Sequence, residues 1–544
     1  MSYHKLSTIE DIYDQIGGLG RFQLAAMFLV AGLKFPLGWS MMLMSYAGYI
    51  GDFVCITDVE MDHTMLTNIS ASGQTVNGSA LNACSVNGTA CTDFKFLGSK
   101  RTAISEWHLV CDRRWLKATI TSIQLAGVIP GTFLGGLSGD YIGRRYTTYG
   151  SLLLHVIMNV ISAYSVTWQM FVVMRFLLGT IMGILLIMIV PYPAEFLPTR
   201  WRHVAPAIPF WPMGVTAFAG VAWWLEDWSL IQHGCAIASA VIIIPESPRW
   251  LATQGRLEES YKVLEKMARM NGKTLPPAAM DVVRKIAEEE KAIAKKKKYT
   301  YWDLFKGKRS CFITIVFSLQ WVVMAIIYYG ISFGVNSFVG NLYLNIFLMN
   351  AVQFFGYLFT ALVINRMGRR PTSVFLMAVL LAISLACVSL QKAVSEPTRG
   401  RWISGLCQFA TVVILACWSA SQVWITESYP TVIRSLSYGF VMLSARIGST
   451  LAPFVVNLDE MPLLSFVLMS IIALVSMVTI LFLPETSNQV MQESVGRSTG
   501  KTKVENADGL TPEDIDNIEG NSGEGESMLT RAGVVNTAGI NPDV

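Results

Sequence analysis

Apolar residues in this chain gather into runs of about 20, the length a helix needs to cross the hydrocarbon core of a bilayer. Twelve spans are predicted, at 22–46, 117–139, 147–167, 170–191, 204–225, 228–244, 311–335, 342–365, 371–392, 402–425, 436–457 and 461–483. Two long runs are divided at Ser165, Val166 and Thr167 and around Ser395, Glu396 and Pro397. Readings with eleven or thirteen spans put the loop charges on the wrong sides.

Polar segments complete the layout. The expectation is a cytoplasmic N-terminus at 1–21 and a first bundle at 22–251 that includes a long outer loop at 47–116. A helical linker at 252–310, a second bundle at 311–485 and a tail at 486–544 follow. The linker reads as two helices, LEESYKVLEKMARMNG and VVRKIAEEEKAIAKKKK, whose basic end presents a solvated face or meets anionic lipid. The tail is acidic and rich in Gly, Ser, Asn and Thr, a composition that predicts disorder.

Composition agrees with a membrane protein. Of 544 residues 52% are hydrophobic and 15% charged, too little charge to cover a soluble domain of this size. Mean hydropathy is +0.45. A net charge of +4 is too small to imply nucleic acid, and the basic residues lie in loops. The polar start lacks the apolar core of a cleavable signal peptide, so the first span is expected to act as the insertion signal.

Arg144, Arg145, Arg200, Arg202, the linker, Arg366, Arg369, Arg370 and Arg434 all fall on the face that carries both termini. The short opposite loops are poor in basic residues or acidic, as at Glu226 and Asp227. By the positive-inside rule the termini are cytoplasmic and the chain is multi-pass in the plasma membrane. A second, independent signal agrees. The long loop carries Cys55, Cys84, Cys91 and Cys111 with glycosylation sequons at Asn68, Asn77 and Asn87, which points to an oxidising, extracellular side. Four cysteines allow three pairings, and spacing does not choose among them.

An internal repeat is more diagnostic. Glu195, Pro198, Thr199 and Arg202 recur as Glu427, Pro430, Thr431 and Arg434 after spans 4 and 10. Gly143-Arg144-Arg145 recurs as Gly368-Arg369-Arg370, and Pro245-Glu246-Ser247 as Pro484-Glu485-Thr486. The offsets are 232, 225 and 239 residues, each advancing six spans. Three pairs in one order mean duplication. Two six-helix halves joined by a linker form the layout of a carrier that rocks about a central site. The charged groups are expected to pair across the cytoplasmic seam as a latch. On the blander reading they only mark helix ends.

Gly136, Asp140, Gly143, Arg144 and Arg145 resemble the span 2–3 signature of the major facilitator superfamily. Asn365 stands where the second copy often has Asp. Arg175 and Gly179 resemble its span 4 element, and Pro245 to Leu251 the stretch shared by sugar and organic-ion porters. The chain resembles most its organic cation/anion/carnitine branch, similar to solute carrier family 22. Gly20-Arg-Phe-Gln23, the cysteine- and sequon-bearing loop, and Ser105-Glu-Trp-His-Leu-Val-Cys111-Asp carry that likeness from about residue 10 to 488. It implies an all-α membrane protein of twelve transmembrane helices in two pseudo-symmetric bundles. It also implies movement of small organic ions by alternating access.

Intramembrane charges are costly and therefore informative. Lys34, Arg175 and Arg446 stand out. The likeness makes Arg175 structural or coupling, with Asp140, Arg144, Arg145, Glu195, Arg202, Glu246, Arg369, Arg370, Glu427, Arg434 and Glu485 in gating. Cation carriers of the branch have Asp where Arg446 stands, and anion and carnitine carriers have Arg. A midplane guanidinium attracts carboxylates. Lys34 adds a second positive group or snorkels to an interface. Tyr357 stands where anion carriers have Lys, and Gln353 near where cation carriers have Glu. Trp321, Tyr328 and Tyr329 fall where the family places substrate-facing rings, able to stack or to hold ammonium groups. Trp211, Trp223, Trp224, Trp418 and Trp424 are weaker candidates, with Trp223 and Trp224 read as interfacial.

No phosphate-binding loop, catalytic cluster, or zinc or haem spacing appears in the sequence, so neither an ATP-driven pump nor an enzyme is expected. No cofactor is expected beyond a coupling sodium or proton, or a counter-exchanged organic acid. The expected partners are a small organic ion and membrane lipid. The expectation is carriage of an organic anion or carnitine-like zwitterion. Alternatives are a polyspecific organic cation carrier, in which Arg446 is structural, and a transport-dead sensor on this scaffold.

Overall fold

The computed structural model describes residues 9–56, 82–86, 89–91, 93–189, 191–198, 209–240, 245–293, 300–396, 398–429, 433–457 and 461–486. Arg202, Asn68, Asn77, Asn87 and the tail from 487 lie outside the described residues.

Among the described residues a helix occupies every predicted span. In the first half these are Arg21–Gly32 with Lys34–Ala47, Trp115–Tyr141, Arg144–Ala163, Trp168–Met188, Phe210–Leu225 and Trp228–Ser239. In the second they are Lys308–Phe333, Leu342–Ala351 with Gln353–Met367, Arg369–Ala393, Thr398–Ser428, Arg434–Val455 and Pro462–Ile480. Among the described residues eight helices are long and apolar enough to cross a bilayer by length and composition. Spans 3, 5, 6 and 11 are outside that set, spans 5 and 6 because their helices are short and span 11 because its sequence holds Arg446 and several serines.

Local chemistry explains the boundaries. Span 1 breaks at Leu33 because Pro36 has no N–H to offer the carbonyl of Gly32. The break predicted between spans 3 and 4 falls at Thr167, whose side chain accepts from the amide of Met170 at 3.3 Å. Asp227 caps span 6 by accepting from Ser229 and Leu230, and Asn341 caps span 8 by accepting from Tyr343 and Leu344. Spans 2 and 4 pack backbone to backbone: a side chain at Gly131 would strike the carbonyl of Thr180, and one at Gly179 that of Gln124.

The long loop departs from an all-helical picture. Strand β1 (Phe53–Ile56) pairs antiparallel with β4 (Asp93–Phe96), and β2 (Ser85–Val86) with β3 (Thr89–Ala90). Disulfides Cys55–Cys91 and Cys84–Cys111 resolve the open pairing, with Cα atoms 5.8 and 5.5 Å apart. This face of the molecule is called the loop face.

The opposite, linker face has its own small core. Helix Ile9–Gln15 packs Ile12 and Tyr13 against Leu264 and Met267 of Leu257–Met270 and Val283 of Ala279–Ile293. Asn271 fastens this unit to span 1. Its Oδ1 accepts from the amide of Phe22 at 2.9 Å, and its Nδ2 donates to the carbonyl of Ile16 and to Gln23, both at 2.8 Å.

Candidate functional site

The duplicated motifs assemble into two matching clamps. In the first half, the Glu246 carboxylate accepts from the amides of Arg144, Arg145 and Ser247 at 2.9–3.2 Å. In the second, Glu485 accepts from the amides of Arg369, Arg370 and Thr486 at 2.9–3.0 Å. Each carboxylate thus sits on the open N-terminus of a span, where amides and the helix dipole favour an anion. Burial nonetheless pushes the Glu246 carboxyl above its ordinary range, and the amides of Ser247, Arg145 and Arg144 pull it partly back.

Arginine side chains tie in the remaining acids. Arg144 donates to Glu195 at 3.0 Å and to Asp140 at 2.7 Å. Arg369 donates through Nε and Nη2 to both oxygens of Glu427, at 2.9 and 2.8 Å. The bidentate pair arises in the half whose sequence carries Asn365 in place of the acid. Three residues before each motif glutamate, Tyr192 and Trp424 donate to the carbonyls of Pro245 and Pro484. Both ion pairs of Arg144, and the Arg369–Glu427 pair, close inside one half. Pairing across the seam was the expectation; these arginines instead meet acids of their own bundle, because the cradles of Glu246 and Glu485 bind the backbone amides of Arg144 and Arg369 and hold them there. The Arg145 guanidinium lies over the rings of Tyr146 and Tyr149, at 5.9 and 5.6 Å. Arg434 opens span 11 and is half-buried.

Arg175 is buried within the first half. Its Nη2 donates to the carbonyl of Ser40 at 2.7 Å and to Gln124, and its guanidinium lies over Phe171. The close glycine packing of spans 2 and 4 lets it reach both neighbours. Among the described residues no carboxylate lies within ion-pair distance of it.

Within the second half, aromatic side chains form a continuous chain. Trp321 meets Tyr438 and Trp418 edge-on at 5.8 and 5.5 Å, Trp418 meets Tyr328 at 6.1 Å, and Tyr328 meets Tyr329 at 5.2 Å. Span 7 buries all three of its predicted rings here. The half-buried Arg446 guanidinium donates to the Tyr329 hydroxyl at 3.5 Å, and that hydroxyl is 4.0 Å from the sulfur of Met41 in the other half. Among the described residues no carboxylate comes within ion-pair distance of Arg446. Gln353 and Trp211 approach the Tyr328 hydroxyl, and Tyr357 neighbours Tyr328 and Tyr438.

Lys34 stands two turns before Met41 on the same face of span 1. It is half-buried, and among the described residues no hydrogen bond or ion pair joins it to the Arg446 group. Trp418 and Tyr438 are central to the aromatic chain, Trp418 having ranked low from sequence and Tyr438 having gone unnoticed. The position of Tyr438, two turns before Arg446, was the available signal. Trp223 and Trp224 are 64% and 79% exposed, which fits an interfacial belt.

At the loop face the halves are stitched together. Ser45 donates to the carbonyl of Ser332 at 3.1 Å, and the Tyr343 hydroxyl donates to Glu226 at 2.9 Å. Arg101 bridges Glu106 and Asp227 at 2.7 and 3.2 Å, and its hydrogen bond holds the Glu106 carboxyl below its ordinary range.

Comparison with known proteins agrees with this geometry. A family profile described as sugar (and other) transporter matches residues 37–494. Solute carrier family 22 member 7 from Bos taurus is 31% identical over 407 residues, covering 72% of each chain. The Organic cation transporter protein of Drosophila melanogaster is 29% identical over 430 residues, 76% of this chain and 77% of its own. An inward-open structure of the xylose transporter XylE from E. coli shares the fold, with a TM-score of 0.57 at 15% identity, covering 86% of this chain and 98% of that one. The chain is therefore a multi-pass membrane protein belonging to the sugar (and other) transporter family, a family of transporters, in the solute carrier family 22-like branch of the major facilitator superfamily.

Proposed function

We propose that this transporter carries a carboxylate-bearing organic ion, either an organic anion or a carnitine-like zwitterion, by alternating access in the plasma membrane. Both termini are then cytoplasmic and the loop face extracellular. The observation that carries the reading is Arg446: a half-buried intramembrane guanidinium touching Tyr329, with no described carboxylate to neutralise it. Such a charge is costly unless something of opposite sign visits it, and a carboxylate does so with two parallel hydrogen bonds. The neighbouring rings supply flat apolar walls for the rest of the solute. Transport is driven by a sodium or proton gradient or by exchange for an internal organic acid.

Uptake tests this directly. Cells expressing the chain are given a carnitine-like zwitterion, an aromatic carboxylate or a quaternary ammonium, with and without a sodium gradient. Arg446→Asp should lower uptake of the first two about ten- to a hundredfold, matching the loss of a charged hydrogen bond worth about 1.5–3 kcal/mol. Retained anion and zwitterion uptake in a correctly trafficked variant sinks the assignment. The second reading, an organic cation carrier, is favoured by the aromatic chain from Tyr438 to Tyr329 and by the name of the Drosophila relative. It gains if the quaternary ammonium alone is carried.

A further inference from the structure

Lys100, near the end of the long loop, extends its ammonium between two tyrosine rings. Its Nζ is 5.0 Å from the ring centre of Tyr49 and 4.8 Å from that of Tyr343, both within cation–π range. Tyr49 belongs to the first half and Tyr343 to the second. Tyr46 stacks on Tyr343 at 6.2 Å and is fully buried. Behind Tyr343, its hydroxyl donates to Glu226, which also accepts from Ser99 at 3.5 Å. Among the described residues no carboxylate lies within ion-pair distance of Lys100. Ring faces hold the charge, with Glu226 behind them as polariser.

Two further features show that the pocket is built rather than accidental. Glu226 ends span 5 as a left-handed C-cap, φ +48°, its amide donating to the carbonyl of Ala222 at 3.1 Å, so its position is set by the helix end. The segment bearing Lys100 is fixed on both sides: Arg101 takes the carbonyl of Glu226 at 3.0 Å, and the Thr102 hydroxyl donates to the carbonyl of Tyr49 at 3.2 Å.

We propose that the Tyr46, Tyr49 and Tyr343 group backed by Glu226 is a second ligand site, at the loop-face mouth of the transporter, for small organic ammonium ions. Lys100 fills it as a tethered ligand that clamps the two halves together. A quaternary ammonium, or the ammonium end of a zwitterion, takes the place of the lysine side chain. Face contacts with tyrosine suit such ions because they carry charge without hydrogen-bond donors. The site is independent of Arg446 and of the sign of the carried substrate.

Purified full-length protein in detergent tests this without any transport assay. Tetramethylammonium chloride is titrated against sodium chloride of equal ionic strength while thermal unfolding is followed. Lys100→Met removes the tethered ammonium and leaves only a flexible, weakly held thioether at the rings, so tetramethylammonium should raise its melting temperature in a saturable way, as expected for a ligand of the folded state. Wild type should respond at least tenfold more weakly in concentration. Adding Tyr49→Leu to Lys100→Met should abolish the effect, whereas adding Tyr343→Phe, which keeps the ring, should preserve it. Equal response in wild type and Lys100→Met, or a response that survives Tyr49→Leu, overturns the proposal. A second measurement needs no variant: tetramethylammonium should increase acetylation of Lys100 in wild type, read by mass spectrometry, by freeing its amine. Unchanged labelling at saturating tetramethylammonium also overturns it.

Discussion

At Gly143 and Gly368 the backbone takes φ +112° and +93°, and each glycine faces the carboxylate it helps to hold. A methyl group would sit 2.5 Å from Glu246 at the first position and 3.0 Å from Glu485 at the second. Gly143→Ala and Gly368→Ala should each cost about 1–3 kcal/mol from backbone strain alone. The Gly143 variant should have the lower melting temperature, because its carboxylate must also move. Glu246 makes a prediction in pH. Its raised value means that the folded state binds this proton more tightly than the unfolded chain, whose carboxyl titrates near about 4.3. Its contribution is therefore fully present below that value and lost as pH rises through the folded one. The melting temperature of wild type relative to Glu246→Gln should rise as the pH is lowered from neutral toward the unfolded value of about 4.3. A flat difference would show that the carboxyl is not destabilised by burial. The Gly-Arg-Arg, glutamate and Pro-Glu motifs were legible as repeats. Their joint geometry was not, since nothing in a linear pattern says that Glu246 reaches back about a hundred residues to a pair of amides.

Among the elements, the linker is joined to span 1 more closely than a connecting segment need be. Asn271 makes two hydrogen bonds there and a third to the Ile16 carbonyl just before it, and a side chain at Gly20 would collide with it. This gives the Gly20-Arg-Phe-Gln23 motif a physical purpose: Gly20 admits the asparagine, and Gln23 accepts from it. Asn271→Ala should destabilise the protein by about 1–3 kcal/mol, leaving buried polar groups unpaired. Faster proteolysis of the linker should report it; cleavage at the wild-type rate would show that the tie is superficial. All twelve spans could be read from hydropathy because bilayer length dominates the pattern. The glycines at 127, 131 and 135 in span 2, and at 179 and 183 in span 4, form a small-residue stripe that hydropathy does not mark. Their pairing needed the three-dimensional contact. The loop's short strands were not legible, since its alternation is weak and its cysteines hold it together.

On the scale of the whole molecule, the two halves meet at the loop face through Ser45, Tyr46, Glu226, Lys100, Ser332 and Tyr343. Closure there rests on a loop held by two disulfides. Opening Cys55–Cys91 frees a segment spanning 36 residues, a change of about 4 kcal/mol by loop entropy. Mild reductant should therefore raise the reactivity of Lys100 toward acetylation before it unfolds the spans. Unfolding of the spans without prior exposure of Lys100 would contradict that order. The Arg446 group shows how far sequence reached toward the site. Arg446 is marked in the sequence by its intramembrane charge, and Trp321, Tyr328 and Tyr329 by the likeness to the solute carrier family 22 branch. Met41 and Trp211 come from the opposite half, and only the packing of the halves brings them in.

The first clamp also bears on how the protein is made. Every residue of it, from Asp140 to Ser247, precedes the linker. A ribosome has therefore produced a complete Arg144–Glu195–Glu246 unit while the second bundle is still untranslated, and domains fold from the N-terminus as they emerge. The nascent first half can close its own charges before a partner exists, sparing the insertion machinery six spans with unpaired arginines.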